Sequence, residues 1–145
     1  MKKAILFIIF MTYTSVFAQK ADAILGLWLP QDKDGKVEIY KQGNAYFAKI
    51  TELVEPADPK TGKPYTDTEN PDKSKRNQPI VGLVVIKNLK YIADKKIWDD
   101  GDVYDPKRGK TYSLKITMKD NNKIVITGYI GVPMLGQSET WTRIK

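Results

Sequence analysis

The chain has 145 residues, 24 basic and 17 acidic, for a formal charge of +7, and it contains neither cysteine nor histidine. Their absence excludes cysteine- and histidine-dependent catalysis, cysteine and histidine metal sites, disulfides and a lipidated cysteine, so the fold must stand on packing alone. Only Arg76, Arg108 and Arg143 are arginines and the lysines are dispersed, a pattern that reads as solvated surface and gives no reason to expect a nucleic-acid partner.

The N-terminus, MKKAILFIIFMTYTSVFAQK, sets two lysines before an apolar stretch and ends it at Val16-Phe17-Ala18. That is the pattern of a secretory signal peptide over residues 1–18, cleaved after Ala18. The apolar stretch is shorter than the roughly 20 residues that span a bilayer, so no transmembrane anchor is expected. An exported protein follows, periplasmic or secreted. Loss of Lys2 and Lys3 with the leader lowers the formal charge to +5, and residues 19–145 form one domain, expected to be a monomer.

From Ile24 onward the chain alternates apolar and polar residues between turns, with no sustained helical period, which predicts an all-β fold. The first strand is residues 25–29, closed by Pro30 and the polar turn 32–35. Strands over 37–41 and 46–53 follow, joined at Gly43-Asn44, residues that accept the positive φ of a tight hairpin. Residues 54–79 hold five prolines and few apolar groups, a long Pro-rich loop of the kind that is usually functional or disordered. The apolar run from Ile80 to Ile86 reads as a strand, or a short helix and then a strand, ending at Ile92.

Residues 97–104 form the next strand, with a kink at Gly101, and Asp105-Pro106 to Gly109 turns the chain. Between 111 and 119, Tyr112, Leu114, Ile116 and Met118 fall on one face and Thr111, Ser113, Lys115 and Thr117 on the other. Strands at 123–130 and 137–144 complete the chain, on either side of the connection GVPMLG. About eight antiparallel strands with short turns are best satisfied by a single closed barrel, which leaves no edge unpaired; a two-sheet sandwich is the alternative.

Gly26-Leu27-Trp28 on the first strand and Trp141-Thr142-Arg143 on the last resemble the Gly-x-Trp and closing-strand arginine of lipocalin-like barrels, in which the arginine covers the tryptophan at the closed end. More of the chain is covered by a second resemblance: Asn70-Pro71, Arg76-Asn77-x-Pro79-x-x-Gly82, Trp98-x-x-Gly101, Tyr104-Asp105-Pro106-x-x-Gly109-Lys110-x-Tyr112, Gly128-Tyr129-x-Gly131 and Gly136-x-x-x-x-Trp141-x-Arg143. These look like a family of secreted bacterial proteins known only as a domain of unknown function. The resemblance implies an exported small barrel and supplies no catalytic residues.

Asp99, Asp100, Asp102 and Asp105 raise the question of calcium. Their spacing lacks the sixth-position glycine and closing glutamate of the 12-residue calcium loop, and strand neighbours point to opposite faces, so turn chemistry is the better reading and no metal is expected. A Ser113/Lys115 dyad would sit on a polar face, where the lysine stays protonated. Glu38 and Glu139 are strand carboxylates whose separation the sequence does not fix. No enzyme activity and no cofactor are expected.

Glu139, Trp141 and Arg143 share a strand parity. They predict a structural floor in which Arg143 meets Trp28 and a carboxylate, with Glu139 as the partner. The expected function is an exported, non-catalytic, lipocalin-like barrel that binds a small, partly apolar ligand in its interior. Candidate contacts are Tyr46, Tyr104 and Tyr112, with Tyr65, Arg76 and Asn77 on the 54–79 loop over the mouth. The alternative is a module that docks an envelope protein through that loop and the exposed tyrosines.

Overall fold

Alternation turns one row of each strand inward, and eight such rows close around a common core. The computed structural model describes residues 20–132, 134 and 136–144. The leader expected at residues 1–18 lies outside them, and among the described residues no helix is long and apolar enough to cross a membrane. The strands are β1 (Gly26–Leu29), β2 (Gly35–Gln42), β3 (Ala45–Leu53), β4 (Val84–Ile92), β5 (Ile97–Asp105), β6 (Lys110–Asp120), β7 (Lys123–Tyr129) and β8 (Gln137–Arg143). Each pairs antiparallel with the next and β8 returns to β1, making a closed barrel.

Register fixes the inward face. Ile116 lies opposite Ile126, and Ile124 opposite Trp141; these side chains join Trp28, Ile39, Ala48, Ile86, Leu89, Trp98 and Leu114 in the core. Two elements differ from the sequence reading. The apolar run from Ile80 begins as a turn, with Leu83 N–H donating to Ile80 O at 3.1 Å, and β4 starts only at Val84. The bend expected at Gly101 is a bulge just before it, where Asp100 takes φ 60° and Asp99 Oδ1 accepts the Asp100 N–H at 2.9 Å.

One end of the barrel is sealed by the segment ahead of β1. A short 3-10 turn, Asp22–Ile24, lies across it with Ile24 fully buried. Trp28 Nε1 donates to Ile24 O and Trp98 Nε1 to Ala21 O, both at 2.9 Å. Tyr46 Oη donates to Asp22 Oδ1 at 2.6 Å, and Lys41 Nζ meets the same carboxylate at 2.9 Å. The Tyr46 hydrogen bond, with Lys41, holds the Asp22 carboxyl below its usual range; burial and that carboxylate push the Tyr46 phenol up.

Arg143 sits at the centre of this floor, its guanidinium 4.2 Å from the Trp28 ring centroid. It donates to Leu25 O at 2.7 Å, Ala23 O at 2.6 Å and Asn121 O at 2.8 Å. The carboxylate partner expected from the sequence is replaced by these carbonyls. Glu139 lies four residues up β8, about 13 Å at ~3.3 Å per residue, beyond the reach of the guanidinium. Gly26 makes the approach possible: its φ is 127°, and a Cβ there would stand 2.9 Å from Arg143 Nη1.

Truncating Arg143 therefore leaves an uncovered indole and three carbonyls without donors. Arg143→Ala is expected to lose about 3 kcal/mol in urea unfolding, less than the full sum of one cation–π contact and three charge-assisted hydrogen bonds because water can replace the donor at the exposed Asn121 carbonyl. Arg143→Lys should recover less than half of that, because one ammonium cannot serve three diverging carbonyls.

Candidate functional site

Exposure of the inward face changes along the barrel axis. At the floor Trp28, Leu89 and Ile124 are fully buried. Toward the other end, Ile50, Leu53, Val103, Tyr112 and Glu139 are only half-buried although their register turns them inward. Gly128 faces the same space, and a Cβ added to it would lie 3.6 Å from Val103 Cγ1 and 3.7 Å from Tyr112 Cβ, an unforced contact. These residues line the upper end of the barrel interior, called the cup below. Its polar group is Glu139, whose Oε1 accepts the Trp141 indole N–H.

Two turns meet across the rim of this cup. The β1–β2 and β5–β6 turns are separated by four strands in either direction around the barrel. Even so, Lys107 Nζ reaches both Asp34 Oδ2 and Asp32 Oδ2. The Asp34 hydrogen bond outweighs burial and raises the lysine above its usual range; for Asp34, burial pulls upward but the Lys107 and Asp32 hydrogen bonds prevail and hold it low. Around the same end the connection after β7 exposes Ile130 at 75% and Met134 at 94%, an apolar edge beside a charged bridge.

The 66–79 part of the long loop, expected over the mouth, folds back instead against the outer wall as a strap. A bridge pairs Thr66 with Pro79 at the base of the strap. Asp67, fully buried, accepts Tyr104 Oη on Oδ1 at 2.7 Å and Asn70 Nδ2 on Oδ2 at 2.6 Å. Burial, reinforced by the Asp67 hydrogen bond and charge, pushes the Tyr104 phenol up to about 12. The turn after β5 meets the strap at Gly109 (φ 63°), where a Cβ would lie only 1.9 Å from Glu69 O. Satisfied polar contacts on the wall explain why a proline-rich segment lies there: it has few apolar side chains to cover a mouth.

Between strap and wall runs a groove of about 680 Å³. Its floor is Val85 and Lys87 of β4, Asp102 and Tyr104 of β5 and Thr111 of β6; its roof includes Pro71, Lys75, Pro79 and Val81. Sequence reasoning missed this groove, since nothing in the spacing of residues 66–79 says which surface they cover. The Lys107 bridge was more accessible, because two acidic residues and a lysine occupy turns at the same end of an up-and-down barrel.

The residues singled out from the sequence separate into distinct places. Trp28 and Arg143 meet on the floor, with Trp141 and Glu139 stacked above them. Tyr46 also belongs to the floor, through Asp22. Tyr112 faces the cup, whereas Tyr104 faces outward under the strap. On the strap Arg76 Nε donates to Asn70 O at 2.8 Å, Asn77 is exposed, and Tyr65, just before it, is exposed at 37%. The acidic cluster disperses too: Asp99 caps its bulge, Asp102 faces the groove, and Asp105 accepts Lys107 N–H and Arg108 Nη1, both at 2.9 Å. Glu38 points outward to Lys49, 3.2 Å away, while Glu139 points inward. Ser113 and Lys115 are on the outer face.

A closed eight-stranded antiparallel barrel, floored by an arginine-covered tryptophan and an N-terminal 3-10 turn, is a lipocalin-like barrel. Over residues 26–143 the chain matches the family described as "Uncharacterized protein conserved in bacteria (DUF2147)", and it belongs to that family. Among solved structures it is similar to "Protein HP1028 from the human pathogen Helicobacter pylori belongs to the lipocalin family", with 23% identity and a TM-score of 0.72 over 84% of this chain and 83% of that one. No curated protein matches it.

Asp67 is the pin of the strap. Asp67→Ala leaves the Tyr104 hydroxyl and the Asn70 amide without their acceptor, a local loss of about 2 kcal/mol. Trypsin should then cut at Lys73, Lys75 and Arg76 about thirtyfold faster, by local opening, while the melting temperature of the barrel changes little.

Proposed function

We propose that the chain is an exported, non-catalytic barrel that binds a small, partly apolar ligand in the open half of its interior. One observation carries the reading: inward-facing Ile50, Val103 and Tyr112 stay partly exposed toward the end of the barrel opposite the Trp28–Arg143 floor. Unfilled inward surface at one end of a barrel of this strand number is where such a fold takes a single small molecule. Glu139 and the Tyr112 hydroxyl supply the polar contacts, and the apolar edge at Ile130 and Met134 eases entry of an apolar body. The lipocalin assignment of the Helicobacter pylori neighbour supports the same class of function. Without histidine or cysteine, the residue chemistry is suited to holding a ligand rather than transforming it.

Native mass spectrometry of the protein purified gently from its host envelope tests this. A stoichiometric small molecule is expected, and it should be lost from Gly128→Leu, which fills the cup from a position where a Cβ meets only ordinary contacts. A clean apo mass that persists after incubation with envelope lipid extract would overturn the reading.

A further inference from the structure

Between the floor arginine and the rim turns, Glu139 is the one charged side chain that alternation turns inward among the described residues. Two contacts fix its side. Register sets it opposite Ile126, a core residue, and its Oε1 accepts the indole N–H of the buried Trp141. Its other carboxylate oxygen has no hydrogen-bond partner among the described residues. Since no buried side-chain oxygen among them lacks a partner, that oxygen faces open space.

Among the described residues no ammonium or guanidinium lies within ion-pair distance of Glu139. Arg143, on the same strand, gives its donors to three backbone carbonyls. At the rim Lys107 serves Asp32 and Asp34, Arg108 serves Asp105, and Lys33 and Lys110 are exposed to solvent. A carboxylate enclosed by an apolar wall gains more from an added cation than one on open surface, and it repels an added anion. The Trp141 indole already holds the group in place, so a ligand need not order it. Gly128, its diagonal neighbour on β7, has no side chain to stand between the carboxylate and Val103 and Tyr112.

We propose that the ligand of the cup is a protonated amine on an apolar body, its ammonium donating to Glu139 and its body lying against Ile50, Val103 and the Tyr112 ring. The inference rests on the reading of the cup as a ligand site and adds the charge of the occupant.

Methyl NMR of the mature protein titrated with octylammonium, octanol or octanoate tests the proposal. Octylammonium should give saturable shifts at Ile50, Val103 and Ile126, with octanol about tenfold weaker, as expected for loss of one charge-assisted hydrogen bond, and octanoate weaker still. Glu139→Gln keeps a carbonyl oxygen for the Trp141 indole and removes the charge. It should weaken octylammonium by about the same tenfold and leave octanol unchanged. Equal weakening of both probes in that variant would show that Glu139 acts through packing alone and would overturn the proposal. Octanol or octanoate binding at these methyls as tightly as octylammonium would also overturn it, while leaving the cup as a ligand site. No saturable shift there with any of the three would overturn both readings.

Discussion

The guanidinium of Arg143 lying over Trp28 is the contact on which the barrel's closure depends. The seam between β1 and β8 is the shortest in the molecule, with only Trp28 opposite Arg143 and Leu29 opposite Thr142 in register. Such a short ladder is a weak fastening by itself. Arg143 adds three hydrogen bonds to carbonyls outside the ladder, tying the end of β8 to the 3-10 turn before β1 and to the turn after β6. Burial draws its pKa below the usual arginine value; a guanidinium stays protonated in proteins, which keeps the charge that all four contacts need.

From that fastening the rest of the molecule divides along its axis. The floor half spends its inward face on packing, with three tryptophans whose indole N–H groups each find an acceptor, Ile24 O, Ala21 O and Glu139. The other half leaves inward positions half-exposed and is spanned at the rim by Lys107 with Asp32 and Asp34. Exposed pairs of this kind contribute little to stability, about 0–1 kcal/mol. The bridge's significance is therefore its position rather than its strength. The strap adds a second, outer surface, pinned by a buried carboxylate that would be costly to bury without its two donors.

How much of this was legible depended on whether a signal repeats. Strict alternation at Tyr112, Leu114, Ile116 and Met118 fixed both the extent and the inward face of β6, and paired turn residues bounded its neighbours. The resemblance of Gly26-x-Trp28 and Trp141-x-Arg143 to lipocalin-like barrels placed the arginine on the floor, and shared parity with Trp141 turned it inward. Neither was enough to name its partners, because backbone carbonyls carry no sequence signature. The plug at Asp22–Ile24 left no signature in the sequence, since it is held by contacts such as that of Ala21 O with Trp98, 77 positions away. The strap failed for the same reason: Asp67 and Tyr104 are 37 residues apart, and nothing periodic connects them. Of the six candidate ligand contacts, Tyr112 alone faces the cup; alternation said which side Tyr46 and Tyr112 take, but not how far along the axis the packed core extends.

Native-state hydrogen exchange on the wild type and Arg143→Ala is the most direct measurement of whether the floor holds the barrel shut. The account predicts that the variant selectively loses protection at the seam, where Ile144 N–H donates to Leu27 O, while amides of the β5–β6 and β6–β7 ladders keep their relative protection. Equal loss across all ladders, or an unchanged seam, would contradict it.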